Sequence, residues 1–207
     1  LNESSGETMR VSDQDTLYVC VDLEASGPVP GLYNMVSIGG VCVRYEDGQH
    51  VRGDEFYFEL KPICEGFDDH AMSIHGISRE HLEEHGQDAR EVLAKITDWV
   101  STRRRQNEKV LFVGHNAPFD WMYTAWYFAW AGYPNPFGYN ALDTKALFMG
   151  RFGLPWRQCN KETLASLFPE LTPPRPEDVH NALCDARFQA DILIELLDYS
   201  GSEETPS

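Results

Sequence analysis

Positive charge is scarce in this 207-residue sequence: 17 Lys and Arg stand against 33 Asp and Glu, a formal net charge of -16. A chain with so small a basic footprint is excluded from gripping long nucleic acid by broad phosphate neutralisation. It can still host a compact site in which metal ions supply the positive charge. Long apolar runs are missing as well, none approaching the ~18 residues of a membrane-spanning helix. The five cysteines (Cys20, Cys42, Cys64, Cys159 and Cys184) show no C-x-x-C pairing and are odd in number. Buried reduced thiols are therefore expected in place of disulfides or a zinc site. Internal repeats and low-complexity tracts are absent, and no basic-then-apolar leader opens the sequence. The expectation is a soluble, cytoplasmic protein of a reducing compartment, with a first residue, Leu1, that suits a processed or trimmed chain.

What is present is enough apolar and aromatic material, 42% and 12% of residues, to build one domain with a sizeable core. Polar ends, 1–15 and 200–207, are expected to be disordered and to flank a domain at 16–199. Tyr18 to Ala25 reads as a strand buried on both faces. Alternation sends Asp22 and Glu24 out of the same face, an expensive arrangement unless something cationic lies between them or water reaches the strand end. Met35 to Tyr45 reads as a second strand, with Gly39-Gly40 as a bulge signal, and Glu55 to Leu60 as a third after the Asp47-Gly48 turn. These three form an antiparallel meander.

Helical signals follow. Asp69 to His75 closes at Gly76, and Ser78 caps a short helix that stops at Gly86. Asp88 and Glu91 have capping-box spacing before a stripe of Leu93, Ile96 and Val100. Arg103-Arg104-Arg105 ends that helix, either as a solvated terminus or as a phosphate-steering patch. Val110 to Val113 is a fourth strand. It leads through Gly114-His115-Asn116 into a helix from Pro118 to Trp130, with Asn116 as its cap. A short strand at Ala141-Leu142 ends in Asp143 before a helical stretch to Met149. Helices over Lys161–Phe168 and Asn181–Tyr199 complete a mixed α/β chain.

Asp120 falls in the first turn of its helix and Asp185 near the start of the last one, with His180 just ahead of it. Four carboxylates can hold two divalent ions ~3.5–4 Å apart, and Mg²⁺ or Mn²⁺ suits an all-oxygen site. A His beside them can take a proton from water.

These residues resemble the motifs of the DEDDh branch of the DnaQ-like (RNase T-like) 3′–5′ exonucleases, within the ribonuclease H-like superfamily. Asp22-Leu23-Glu24-Ala25-Ser26-Gly27 matches the first motif, Gly114-His115-Asn116-Ala117-Pro118-Phe119-Asp120 the second, and His180-Asn181-Ala182-Leu183-Cys184-Asp185 the third. His75-Gly76-Ile77-Ser78 and Leu142-Asp143-Thr144 match further landmarks. Ser26 departs from the common Thr but keeps the hydroxyl. The resemblance spans about 17–197 and implies a five-stranded mixed sheet, the meander plus parallel strands, flanked by helices. It implies metal ligation by Asp22, Glu24, Asp120 and Asp185, with Asp22 bridging two ions, and His180 as general base. It further implies substrate contacts near Glu24, Ala25, Ser26 and Phe119, a partner nucleic acid that is short or single-stranded with a free 3′ end, and release of nucleoside 5′-monophosphates. Asn181 occupies the place where the DEDDy branch carries Tyr.

Three other readings compete. His81-Leu82-Glu83-Glu84-His85 fits an inverted zinc-peptidase motif, though on a helix of about two turns. Ten aromatics between Phe119 and Tyr139 circle their helix, which fits core burial, a homodimer face or base stacking. A non-catalytic binding or scaffold protein on the same fold would be expected to have lost a ligand or the His, and all five are present.

Overall fold

A computed structural model describes residues 14–175 and 180–199. The expected disordered ends lie outside the described residues, apart from Gln14 and Asp15, which form a turn; the Asp15 carbonyl accepts from Lys109 N at 2.7 Å. Strands β1 (Thr16–Ala25), β2 (Met35–Glu46), β3 (Gln49–Glu59), β4 (Lys109–Gly114) and β5 (Ala141–Asp143) form one mixed sheet in the order β3-β2-β1-β4-β5. The first three pair antiparallel, and β4 runs parallel to both β1 and β5. Asp47 and Gly48 both take positive φ, 49° and 95°, so a two-residue turn feeds β2 directly into β3. For that reason β3 begins at Gln49, well before the alternation that marked it in the sequence.

Period-two alternation along β1 sorts the two faces. Leu17, Val19, Val21 and Leu23 join a core with α3 (Ala89–Arg103) and α4 (Pro118–Ala131). Tyr18 and Cys20 join a second core with Ala186, Ala190, Leu193 and Leu197 of α7 (Ala182–Asp198). Asp22 and Glu24 continue that second face toward the strand's C-terminal end, so the start of α7 meets them. The glycines of β2 make this approach possible. Gly39 pairs with Asp22, and a Cβ on it would lie 2.5 Å from Leu183 N and 2.6 Å from the Ala182 carbonyl. The bulge expected at Gly39-Gly40 lies instead between Val41 and Val43, because both glycines are regularly paired and make room for α7 and for the Phe56 ring.

Local chemistry sets the helix ends. The side chains of Asp68, Ser78 and Asp88 cap α1 (Asp69–His75), α2 (Arg79–His85) and α3, and Gly76 closes α1 at φ 70°. The expected side-chain cap at Asn116 is absent. Asn116 adopts φ 65° and turns the chain from β4 into α4, which starts at Pro118 after an Ala117 N-cap that makes no side-chain cap bond. Asp143 caps α5 (Thr144–Phe152), and Asn160 caps α6 (Lys161–Leu167) after a 3₁₀ turn at Trp156–Gln158.

The aromatics of α4 are chiefly structural. Tyr123 and Tyr127 are fully buried; their hydroxyls bond to the Gly27 carbonyl and the Met35 N–H, both at 2.7 Å. Arg103 and Arg105 pair with Asp54 and Glu46, and Arg104 Nε donates to the Glu108 carbonyl. They sit near the N-terminal end of β1, opposite Asp22 and Glu24, and serve as a neutralised helix terminus. All five cysteines are free thiols. No helix among the described residues is long and apolar enough to cross a membrane.

Candidate active site

β1 outruns its neighbour: its pairing with β4 ends at Cys20 and Val113, while β1 continues to Ala25. Asp120, in the first turn of α4, meets this overhang, its Oδ1 accepting the Leu23 N–H at 3.2 Å. Asp185 arrives from the first turn of α7, and its Oδ2 accepts the His180 N–H at 2.9 Å. His180 itself is exposed on a left-handed turn, φ 63°. Ligand atoms of Glu24, His180 and Asp185 lie within 4.8 Å of one another. Asp22 is held by Gln189, which donates Nε2–H to its Oδ1 at 2.6 Å.

Electrostatics shows how closely the acids crowd. Burial, then Asp120 and Asp185, hold the Asp22 carboxyl well above the usual carboxylate range, and Lys161 opposes this. Burial, then Asp185 and Asp120, push Glu24 up to about 8. Burial raises Asp120 too, against the Leu23 N–H bond that favours its charged form. Glu24, Asp120 and Asp185 are only 9%, 5% and 5% exposed. Buried acids left with so little compensation are expensive, and an all-oxygen donor set of this kind fits a hard divalent cation.

Beside Glu24 opens a cavity of about 410 Å³, lined by Glu24, Ala25, Gly27, Pro28, Asp68, His70, Ala71, Ile74 and Phe119. Ser26, expected at the substrate, does not line it. Its side chain is fully buried, donating to the Gly66 carbonyl at 2.7 Å and accepting from Asn34 N at 2.8 Å. Asn34 in turn bonds Ile63 N, Cys64 N and the Cys64 and Gly66 carbonyls. With the bond from Asp68 N to the Ser26 carbonyl, this network fixes the segment that delivers α1 to the cavity wall. Ser26 thus shapes the pocket from behind, and the hydroxyl shared with Thr has a structural purpose.

Asp143 stays off the carboxylate cluster, accepting from Asn116 N, Lys145 N and Ala146 N. His81 Nε2 bonds Glu59 at 2.6 Å, and no triad of metal-ligating side chains forms around His81 and His85 among the described residues. Two polar partners of the site escaped the sequence reading. Gln189 lies one turn beyond Asp185 and interrupts an apolar seam, which is a legible signal. Lys161 stands at the first position of a helix, where the dipole disfavours a cation.

The mixed sheet and its flanking helices form a ribonuclease H-like fold, with buried acids gathered at the end of β1. The family model described as the Rv2179c-like 3′-5′ exoribonuclease domain matches residues 17–197, and the chain belongs to that family. The 3′-5′ DNA exonuclease Cap18 of Escherichia coli is 38% identical over 177 residues, covering 86% of this chain and 89% of that relative. Among solved structures, the nuclease domain of 3′hExo, a DEDDh family member bound to rAMP, superposes with a TM-score of 0.72 at 17% identity, over 90% of this chain and 93% of that one. The exonuclease I–single-stranded DNA complex of E. coli matches with a TM-score of 0.67 at 17% identity, over 88% of this chain and 40% of that one.

Proposed function

We propose that this exonuclease, a domain at 16–199, is metal-dependent and removes nucleoside 5′-monophosphates from the free 3′ end of single-stranded or short nucleic acid. The observation that carries the reading is the gathering of Glu24, His180 and Asp185 with the buried Asp22 and Asp120, beside a cavity that Glu24 lines and that is large enough for one nucleoside. The four carboxylates suit Mg²⁺ or Mn²⁺, and two such ions held there would supply water activation and neutralise charge on the leaving oxygen.

The chain's own residues do the rest. Gln189 and the Leu23 N–H orient Asp22 and Asp120 before any ligand arrives. His180, exposed and anchored through its backbone to Asp185, takes the proton of the attacking water and can pass it to solvent. Ala25, Phe119 and Ile74, which line the cavity, offer apolar surface to a terminal base, and Glu24 borders the same cavity from the acidic cluster. The acidic surface favours short contacts with few phosphates over a long electrostatic track.

Matched RNA and DNA oligomers with free or blocked 3′ ends, incubated with Mn²⁺, test the reading. Wild-type protein should release 5′-monophosphates from free 3′ ends only. Asp22→Asn should lower the rate by a factor on the order of 10³ or more, the equivalent of ~4 kcal/mol in the barrier. No mononucleotide from either polymer at high protein concentration would favour a binding role instead.

A further inference from the structure

The acidic cluster already carries a cation of its own. Lys161 Nζ is ion-paired with Asp185 Oδ1. Among the described residues, Lys161 also exerts the leading cationic influence on Asp22, Glu24 and Asp120. Its place in α6 does nothing for that helix: the amino end disfavours positive charge, and the cap is already made by Asn160, whose side chain accepts from Thr163 N at 2.8 Å. The Lys161 side chain is 32% exposed while that of Asp185 is 7% exposed, so the ammonium reaches a buried acid from the solvent side. Its stem is flexible, with Nζ 5.9 Å from the Phe188 ring centroid.

We propose that Lys161 is a tethered counter-ion that occupies the carboxylate cluster until a divalent metal ion arrives, and that metal binding expels it from Asp185 to the rim of the site. This rests on the metal-dependent reading above. One positive charge cannot neutralise four acids, yet it lowers the cost of holding them together. An ammonium and a divalent ion on neighbouring carboxylates repel each other, so the arrival of one displaces the other. Lys161 thereby keeps the site assembled without metal and raises the metal concentration needed to fill it.

Calorimetric Mn²⁺ titration and thermal unfolding, without substrate, test this on wild type, Lys161→Met and Lys161→Arg. Lys161→Met should unfold at lower temperature than wild type in EDTA, match it in saturating Mn²⁺, and bind Mn²⁺ roughly tenfold more tightly. Lys161→Arg should track wild type. A second measurement needs no variant: reductive methylation of Lys161 in wild-type protein, read by peptide mass spectrometry, should accelerate several-fold when Mn²⁺ is added. A permanent brace between α6 and α7 would give the same loss of midpoint with and without Mn²⁺, unchanged affinity and an unchanged methylation rate, and any of these overturns the proposal. Wild-type Mn²⁺ binding that Asp22→Asn abolishes but Lys161 substitutions leave untouched would overturn it alone. Absence of Mn²⁺ binding to wild type would overturn the metal reading as well.

Discussion

Gln189 donates from Nε2 to Oδ1 of Asp22 at 2.6 Å, joining residues 167 positions apart. Gln189 is 1% exposed and sits one helical turn after Asp185, so α7 delivers both an acid and the amide that aims a second acid. Partners that orient ligands in this way are worth about 10–100-fold in metal affinity or activity. Gln189→Leu should therefore lower kcat by about that factor, raise the Mn²⁺ concentration for half-activation and leave KM for a short oligomer little changed. Gln189→Glu should be worse, because it sets a fifth carboxylate against Asp22. Steady-state kinetics across a Mn²⁺ series, with circular dichroism as the control on folding, checks both.

The proposed role of His180 in proton transfer rests on its exposure, its backbone bond to Asp185 and its closeness to Glu24 and Asp185. His180→Ala should cost about 10²–10⁴-fold in turnover while Mn²⁺ binding persists. Wild-type rates for His180→Ala across neutral pH would remove the assignment.

Features governed by neighbouring residues were legible in the sequence. Asp68, Ser78, Asp88 and Gly76 act locally, and their helices start and stop where side-chain bonds and a left-handed glycine dictate. The same holds for Asp22 and Glu24, whose common face follows from strand alternation alone. Features governed by distant residues were not. Gly39 and Gly40 suggested a bulge, but what they accommodate is α7 and Phe56. Asn116 suggested a cap, but the left-handed turn out of β4 leaves its side chain no such role. Ser26 stood within a substrate motif, and only the tertiary placement of Asn34 and Gly66 shows its hydroxyl turned inward. Lys161 reaches Asp185 across a helix–helix contact that no local pattern encodes.

His115 contributes an acid-sensitive element to the fold's stability. Burial, then the nearby Lys161 charge, push its imidazole down to about 4, and its Nδ1 lies 3.0 Å from Thr144 Oγ1. An unfolded chain protonates His below about 6.5. Between about 4 and 6.5 this imidazole therefore binds more protons in the unfolded state than in the native one, and its own contribution to stability falls as pH drops through that window, while the raised Asp22, Glu24 and Asp120 carboxyls act in the opposite direction. This single group can contribute at most ~1.4 kcal/mol per pH unit. His115→Asn should gain on wild type at pH 4.5 relative to pH 7. Urea midpoints in EDTA at the two pH values provide the measurement.

Gly39 and Gly40 are adjacent in β2 but face opposite cores, and substituting each separates stability from site assembly. A Cβ at Gly40 would lie 2.3 Å from the Phe56 ring, in the core shared with α3, where a side chain can shift. A Cβ at Gly39 would meet the backbone of Ala182 and Leu183, which cannot rotate aside, so α7 itself must retreat. Overfilling of this kind costs about 1–3 kcal/mol at either position. Only at Gly39 does relief carry Asp185 and Gln189 away from Asp22 and Glu24. Gly39→Ala should therefore lose turnover at least ~10-fold beyond what the folded fraction explains, the scale of effect seen when positioning partners are lost. Gly40→Ala, at a similar thermal midpoint, should retain it. Equal specific activities for the two folded variants would show that the first turn of α7 tolerates displacement, and that the site does not depend on the close approach Gly39 permits.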